Sequence, residues 1–154
     1  MSAEARLTEL KLELPPTPKP GGTYRPVVVV GDMCYVSGQG PLRPDKTLIT
    51  GKVGADLTLE DGRVAARTVA LTMLATLRNE LGSLDRIERL VKVLGMVNAA
   101  PDFTQQPQVI NGFSDLMVEV FGDNGRGARS AVGMGSLPGN IAVEVEAIFQ
   151  LRPE

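Results

Sequence analysis

The last strand-like segment of the chain, residues 141–149, alternates without a break between two kinds of side chain. One face is apolar throughout: Ile141, Val143, Val145, Ala147 and Phe149. The other face carries two acids, Glu144 and Glu146, between Ala142 and Ile148. A period of two is typical of a β-strand with one buried side. The pattern predicts a sheet that is covered by another layer on one face and open on the other.

Two segments have the periodicity of long helices. Thr58 and Asp61 have capping-box spacing, and the first helix is predicted to run to Leu81, with Gly82 as the residue after its end. One apolar stripe lines this helix: Ala66, Ala70, Met73, Leu74, Leu77 and Leu81. The second helix is predicted to start within residues 102–106, with Pro107 in its first turn, and to end at Gly122. Its inner face comprises Ile110, Phe113, Met117, Val120 and Phe121.

The remaining elements are short and are delimited by proline and glycine. In chain order we expect a short helix at 3–12, a Pro/Gly linker at 15–22, a hairpin of strands 27–30 and 33–37, a loop at 41–54, a turn of helix at 84–90, a central strand at 91–98, a loop at 123–127 and two C-terminal strands. One sheet with two helices on one face satisfies this order. The prediction is an α/β (α+β) fold in a single domain, 1–154, with residues 1–22 as an N-terminal extension and linker.

The absence of histidine restricts the chemistry most strongly. It excludes Ser-His-Asp and Cys-His catalysis and the histidine pairs of many ribonucleases. With a single cysteine as well, the sequence argues against a zinc or iron site. A net charge of −2 and an aromatic content of 4% do not suggest a nucleic-acid surface.

The single cysteine, Cys34, cannot form an internal disulfide, which favours a reducing cytoplasm as the compartment. No apolar run reaches the roughly 20 residues that a membrane span requires. Residues 1–11 are charged and lack the apolar core of a signal peptide. We therefore expect a cytoplasmic protein without a membrane partner.

Arg129 stands at the start of a strand-like run, shortly before the alternating strand that carries Glu144. A guanidinium stays charged and offers a planar fork of donors that suits a carboxylate. A glutamate on a neighbouring strand would face the same small cavity, as an acid or base beside an anion clamp. The plainer interpretation is a solvated charge for Arg129 and an exposed polar face for Glu144.

An ordered set of short motifs resembles the RidA superfamily, also called the YjgF family. The motifs are residues 35–39 (YVSGQ), Asn111, residues 128–130 (ARS), residues 137–138 (LP) and residues 143–147 (VEVEA). The resemblance extends from Tyr24 to Phe149. Residues 98–103 and 109–112 resemble a longer subgroup within the superfamily.

The resemblance implies a chorismate-mutase-like fold that assembles as a homotrimer, with the sheets forming a central barrel and clefts between subunits. The implied activity is hydrolysis of reactive enamine or imine intermediates of the 2-aminoacrylate type to 2-keto acids and ammonia, without a cofactor or metal. Arg129 matches the carboxylate-binding arginine and Glu144 the water-positioning glutamate. Tyr24, Ser37, Gly38 and Asn111 match other cleft positions.

Several alternatives remain open at this point. Ala131 stands where the archetypal branch often has a cysteine, and loop 42–54 differs from the short branch, so the substrate is not assigned by the resemblance. Glu146 is interpreted as an interface charge. Gly38 is expected to serve the backbone, by allowing either a close approach or an unusual φ, and Asn111 is equally a ligand-binding or a backbone-binding amide. A non-catalytic protein that binds a small carboxylate is the main alternative function. An endoribonuclease or translation inhibitor is the weaker one.

Overall fold

One mixed five-stranded sheet carries two long helices on a single face. The computed structural model describes all of residues 1–154. Its elements are α1 (Ala3–Glu9), β1 (Val27–Val30), β2 (Met33–Gln39), α2 (Leu59–Leu81), β3 (Ile87–Asn98), α3 (Gln106–Phe121), β4 (Ala128–Met134) and β5 (Val143–Leu151), with 3₁₀ turns at Leu84–Arg86, Gly122–Gly125 and Pro138–Asn140. This confirms the predicted fold class and the predicted hairpin.

The strands lie in the order β1-β2-β5-β3-β4. Every neighbouring pair is antiparallel except β3 and β4, which run parallel. The segment predicted as the central strand, residues 91–98, is the C-terminal part of β3. β3 lies inside the sheet between β5 and β4, but the middle position belongs to β5. β4 pairs with β3 alone, so its other side is a free edge of the sheet.

Both long helices begin and end close to where the sequence predicts. The Thr58 hydroxyl accepts from the Asp61 N–H and the Asp61 carboxylate accepts from the Thr58 N–H, which completes the capping box of α2. Gly82 follows the helix with a φ of 85°, a left-handed conformation that favours glycine. α3 has no side-chain cap at Gln105, and Pro107 lies in its first turn.

The two helices touch through a glycine. A Cβ added at Gly112 of α3 would lie 2.1 Å from the backbone oxygen of Arg63 in α2. Because a backbone oxygen cannot move without moving its helix, only glycine fits at this contact. The helices thereby cover the apolar face of the sheet, where Phe113, Phe149 and Met73 are fully buried.

The predicted turn of helix at residues 84–90 is wrong beyond its first residues. Only Leu84–Arg86 is helical, and β3 starts at Ile87. Register shifts between Ile87 and Arg89 and between Leu90 and Lys92 place Ile87, Leu90 and Val93 on the same buried face. A β-bulge inserts an extra residue into one strand, so the buried positions follow one another at a spacing of three, which resembles a helix in the sequence.

The sheet face away from the helices is open, as the alternation in β5 predicts. Apolar side chains remain exposed on it: Val28, Val30, Tyr35 and Val132. Glu144 and Glu146 share this face, whereas Val143, Val145, Ala147 and Phe149 are buried under the helices. None of the helices combines the length and the apolar character that crossing a bilayer would require.

Candidate functional site

Arg129 lies on the edge strand β4 and points toward α3. Its Nη1 donates to the Asn111 Oδ1 at 2.9 Å and to the Ser114 Oγ at 3.1 Å. The fold contains seven ion pairs and none of them includes Arg129. No carboxylate of the chain therefore balances this guanidinium, which two neutral side chains hold at a partly exposed sheet edge.

The remaining donors of Arg129 make no hydrogen bond within the chain. A planar guanidinium with one nitrogen fixed and the others free is arranged for two-point contact with a carboxylate. Asn111 orients this group, because its amide oxygen accepts from Arg129. Asn111 was expected to bind either a ligand or a backbone carbonyl. The contact in the structure is with the Arg129 side chain instead.

Glu144 lies on the open face, at a cavity of about 530 Å³. Tyr24, Ser37, Gly38 and Pro138 line the same cavity. Partial burial raises the pKa of Glu144, and the negative charge of Glu146 raises this pKa further. Glu144 is therefore a stronger base than an ordinary surface glutamate, as a water-activating carboxylate requires.

Gly38 leaves room for the Glu144 side chain. A Cβ built at Gly38 would lie 2.1 Å from Oε2 of Glu144 and 3.0 Å from its Cδ. The positive-φ glycines of the chain do not include Gly38. Of the two expected reasons for a glycine here, the structure shows the close approach, which is made by the Glu144 carboxylate, and not an unusual φ.

Ser37 and Tyr24 fix the chain segment at the rim of this cavity. The Ser37 hydroxyl donates to the backbone oxygen of Arg25 at 2.6 Å, and this contact holds the segment against β2. The Tyr24 hydroxyl accepts from the Gly21 N–H at 3.1 Å, while half of the residue remains exposed. Tyr24 is therefore a cavity wall whose hydroxyl stays accessible.

Arg129 and Glu144 do not face one cavity within a single chain. β3 lies between their strands. In the register of the sheet, Arg129 is level with the buried Val93, whereas Glu144 is level with Met96 on the open face. The two side chains lie on opposite faces, because successive residues of a strand point to opposite sides. We call Arg129, Asn111 and Ser114 the guanidinium half-site.

The second group, Tyr24, Ser37, Gly38 and Glu144, is the carboxylate half-site. Sequence reasoning missed Ser114, although its place three residues after Asn111 puts both on one face of a helix. It also missed Pro138, which was used with Leu137 only as a motif of the family resemblance and which lines the cavity at Glu144. No three histidine, cysteine, aspartate or glutamate side chains lie close enough together to hold a metal ion.

Comparison with known proteins identifies the family. The family model described as "YjgF/chorismate mutase-like, putative endoribonuclease" matches residues 4–149. Protein TCP17 of Trypanosoma cruzi is 43% identical over 149 residues, covering 96% of this chain and 93% of that protein.

Two solved structures show the same fold. A protein of Shewanella oneidensis named a "putative endoribonuclease" superimposes with a TM-score of 0.93 at 33% identity, covering 98% of this chain and 100% of that one. RidA of a Psychrobacter species superimposes with a TM-score of 0.62 at 26% identity, covering 88% and 94%. With the family model spanning nearly its whole length, the chain belongs to the RidA superfamily.

Proposed function

We propose that this protein is a cofactor-independent deaminase that hydrolyses 2-imino acids, and the enamines that isomerise to them, to 2-keto acids and ammonia. One observation carries the proposal: the Arg129 guanidinium has only neutral partners, Asn111 and Ser114, and free donors at an accessible sheet edge. Such a group suits the carboxylate that every 2-imino acid carries.

The complete site requires two copies of the chain. Arg129 and Glu144 cannot meet across one sheet, so the guanidinium half-site of one protomer joins the carboxylate half-site of its neighbour. The apolar side chains exposed on the open face, among them Tyr35 and Val132, support association between copies. We propose that the assembly is a homotrimer whose sheets form a barrel.

We also propose that the protein works in a reducing cytoplasm, because its single cysteine, Cys34, is unpaired.

Binding and protonation come first in the mechanism. The substrate carboxylate receives two hydrogen bonds from Arg129, which Asn111 and Ser114 hold in place. An enamine takes a proton on its carbon from solvent or a cleft group, and the double bond shifts to give the iminium. The negative Glu144 of the neighbouring protomer stabilises this cation.

Hydrolysis follows at the iminium carbon. Glu144 accepts a proton from a water molecule as the water oxygen bonds to this carbon, and the electron pair of the double bond moves to nitrogen. The proton then passes to the nitrogen of the carbinolamine. The C–N bond breaks as the hydroxyl proton passes to Glu144 and then to solvent and the carbonyl forms, so one imino acid and one water give one 2-keto acid and one ammonia. Most of the acceleration is proximity and electrostatics, because the substrate is already labile.

Arg129→Ala tests the anchoring role. We expect keto-acid release from 2-aminoacrylate to fall about 10- to 150-fold, because the substrate loses a charge-assisted two-point contact worth about 1.5–3 kcal/mol. Arg152→Ala is a matched control, since Arg152 already pairs with Glu88 outside both half-sites. Size-exclusion chromatography must show the same assembly for both variants. Turnover by Arg129→Ala at the level of the parent protein refutes the role.

A mixing experiment tests the two-copy site. Arg129→Ala and Glu144→Gln are each expected to be inactive alone. After unfolding and refolding together in equal amounts, about a quarter of the sites regain both groups if the site lies between protomers, and activity recovers accordingly. No recovery in mixed oligomers, demonstrated by tagged subunits, contradicts the shared site.

Glu144→Gln also separates the enzyme from a carboxylate-binding protein. Lost turnover with keto-acid binding retained in calorimetry supports catalysis by Glu144, because the neutral amide cannot deprotonate water. A parent protein that binds keto acids through Arg129 but never accelerates imine hydrolysis is a binding protein, and the deaminase proposal is then wrong.

A further inference from the structure

A separate cavity of about 430 Å³ lies at the end of β4. Its walls come from Lys52 in the loop before α2, from the chain between β3 and α3, from Gln106 at the start of α3 and from the end of β4. No residue of the guanidinium half-site or the carboxylate half-site lines it. Pockets for small molecules measure about 300–1,000 Å³, so this space, which we call the Lys52 cavity, has the size of a ligand site.

The Lys52 cavity lies well away from Arg129. Gly133 in its wall is on the same face of β4 as Arg129, but the two residues are four positions apart, which is roughly 13 Å along a strand. Arg129 contacts Asn111 and Ser114 farther along α3, whereas a Cβ at Gly133 would meet Gln106, the first residue of that helix. A small molecule in the Lys52 cavity would therefore not use Arg129.

Lys52 carries the only charge in the wall of this cavity. Its ammonium donates to the Asn98 Oδ1 at 2.9 Å and to the backbone oxygen of Gly135, both neutral acceptors. None of the ion pairs in the fold includes Lys52. The Asp56 carboxylate accepts from the Lys52 backbone N–H, not from the ammonium. An ammonium has more donors than these acceptors use, so one N–H of a half-buried, unbalanced cation remains for a ligand.

The other walls are apolar apart from one amide. Ala99, Phe103 and Met134 contribute aliphatic, aromatic and thioether surface. The Gln106 Nε2 donates to the Phe103 backbone oxygen at 3.0 Å, which leaves its second N–H free. Gly133 makes room for this amide, since a Cβ there would lie 2.8 Å from the Gln106 Nε2. The wall thus offers a positive charge and an amide donor beside apolar surface, and no acid that would repel an anion.

We propose that the Lys52 cavity binds a small organic monocarboxylate with a compact apolar body of about the size of a benzene ring. The carboxylate accepts from the Lys52 ammonium and the Gln106 amide, and the apolar body packs against Phe103 and Met134. A cavity of about 150 Å³ holds benzene, so a ring and its carboxylate fit within 430 Å³. The site uses neither half-site, so it does not depend on the proposed deaminase function.

Calorimetry with benzoate, benzamide and inorganic phosphate tests the proposed ligand class. The experiment uses the full chain with Arg129→Ala, so that the guanidinium half-site cannot take the carboxylate. We expect one benzoate per chain, bound about tenfold or more tighter than benzamide, because the neutral amide lacks the charge-assisted hydrogen bond. Phosphate should bind more weakly than benzoate, since it leaves the apolar wall uncovered. Equal affinities for benzoate and benzamide, tighter binding of phosphate, or no binding of benzoate overturns the proposal.

Lys52→Met in the same background removes the charge and keeps most of the side-chain length. Benzoate should then bind no more tightly than benzamide. Lys46→Met is the matched control, because Lys46 belongs to the same loop, is exposed and does not line the cavity. Benzoate affinity that is unchanged by Lys52→Met, or reduced equally by Lys46→Met, overturns the assignment of Lys52.

Gly133→Val tests the cavity without removing the contacts of Lys52, and so covers the case in which Lys52→Met does not fold. The new side chain enters the cavity beside Gln106, whose amide is the end of a flexible side chain and can move aside. Valine also suits a strand position. We expect benzoate affinity to fall about tenfold or more while the thermal unfolding transition remains cooperative. Full benzoate affinity in folded Gly133→Val overturns the placement of the ligand in this cavity.

Discussion

Gly38→Ala tests whether the position of the Glu144 carboxylate matters. The added Cβ would lie 2.1 Å from Oε2 of Glu144, whereas ordinary contacts begin at 3.4 Å. The carboxylate must therefore move by at least 1.3 Å, the difference between these two distances. A misplacement of about 1 Å costs on the order of 100-fold in rate, or about 2.7 kcal/mol of transition-state stabilisation.

The same substitution should not destabilise the fold. The atom that must move first is the end of a flexible side chain beside a cavity, not backbone. Alanine also restricts the unfolded chain more than glycine does, which favours the folded state by about 0.4–1 kcal/mol. We therefore expect an unchanged or slightly higher melting temperature together with a loss of turnover, a combination that general damage to the fold would not produce.

The assay is keto-acid release from 2-aminoacrylate, with thermal unfolding measured on the same samples. Gly135→Ala is the control, because a Cβ at Gly135 meets nothing within 4 Å. The double variant of Gly38→Ala with Glu144→Gln should be no slower than Glu144→Gln alone, since both changes act through one carboxylate. Full activity in Gly38→Ala, or additive losses in the double variant, refutes the reasoning.

The remaining predictions concern charge and stability. Glu146→Gln should lower the pKa of Glu144, because it removes the neighbouring negative charge that raises this pKa. In pH-rate profiles the acidic limb of kcat/KM should shift to lower pH. In denaturation experiments less stability should be lost as the pH rises through the pKa of Glu144. Gly112→Ala should cost about 3 kcal/mol or more in urea unfolding, because its Cβ meets the Arg63 backbone oxygen. Thr58→Ala should cost about 1 kcal/mol by removing the capping box; an unchanged urea midpoint would contradict either stability prediction.

Local signals in the sequence were enough to predict most of the helices and strands. The capping box at Thr58 and the alternation around Glu144 each depend on residues close in the chain, so their structures were predictable. The start of β3 could not be predicted in this way, because its register shifts place the buried residues at a spacing of three, as in a helix. A bulge is determined by pairing with β5, which is distant in the sequence.

The sequence predicts members for the candidate site but not their arrangement in the sheet. Arg129 and Glu144 each have the surroundings that their proposed roles require, a neutral clamp for one and a partly buried cavity for the other. Which face each side chain occupies depends on strand order and register across three strands. The insertion of β3 between β4 and β5 is a property of the whole sheet, and no local pattern reports it.

Under the proposed two-copy site, the opposite placement of Arg129 and Glu144 makes activity depend on protein concentration. A lone protomer carries both groups but cannot bring them to the same molecule of substrate. Specific activity should therefore fall on dilution below the dissociation constant of the oligomer, and it should return on concentration without any change in the fold of the individual chain.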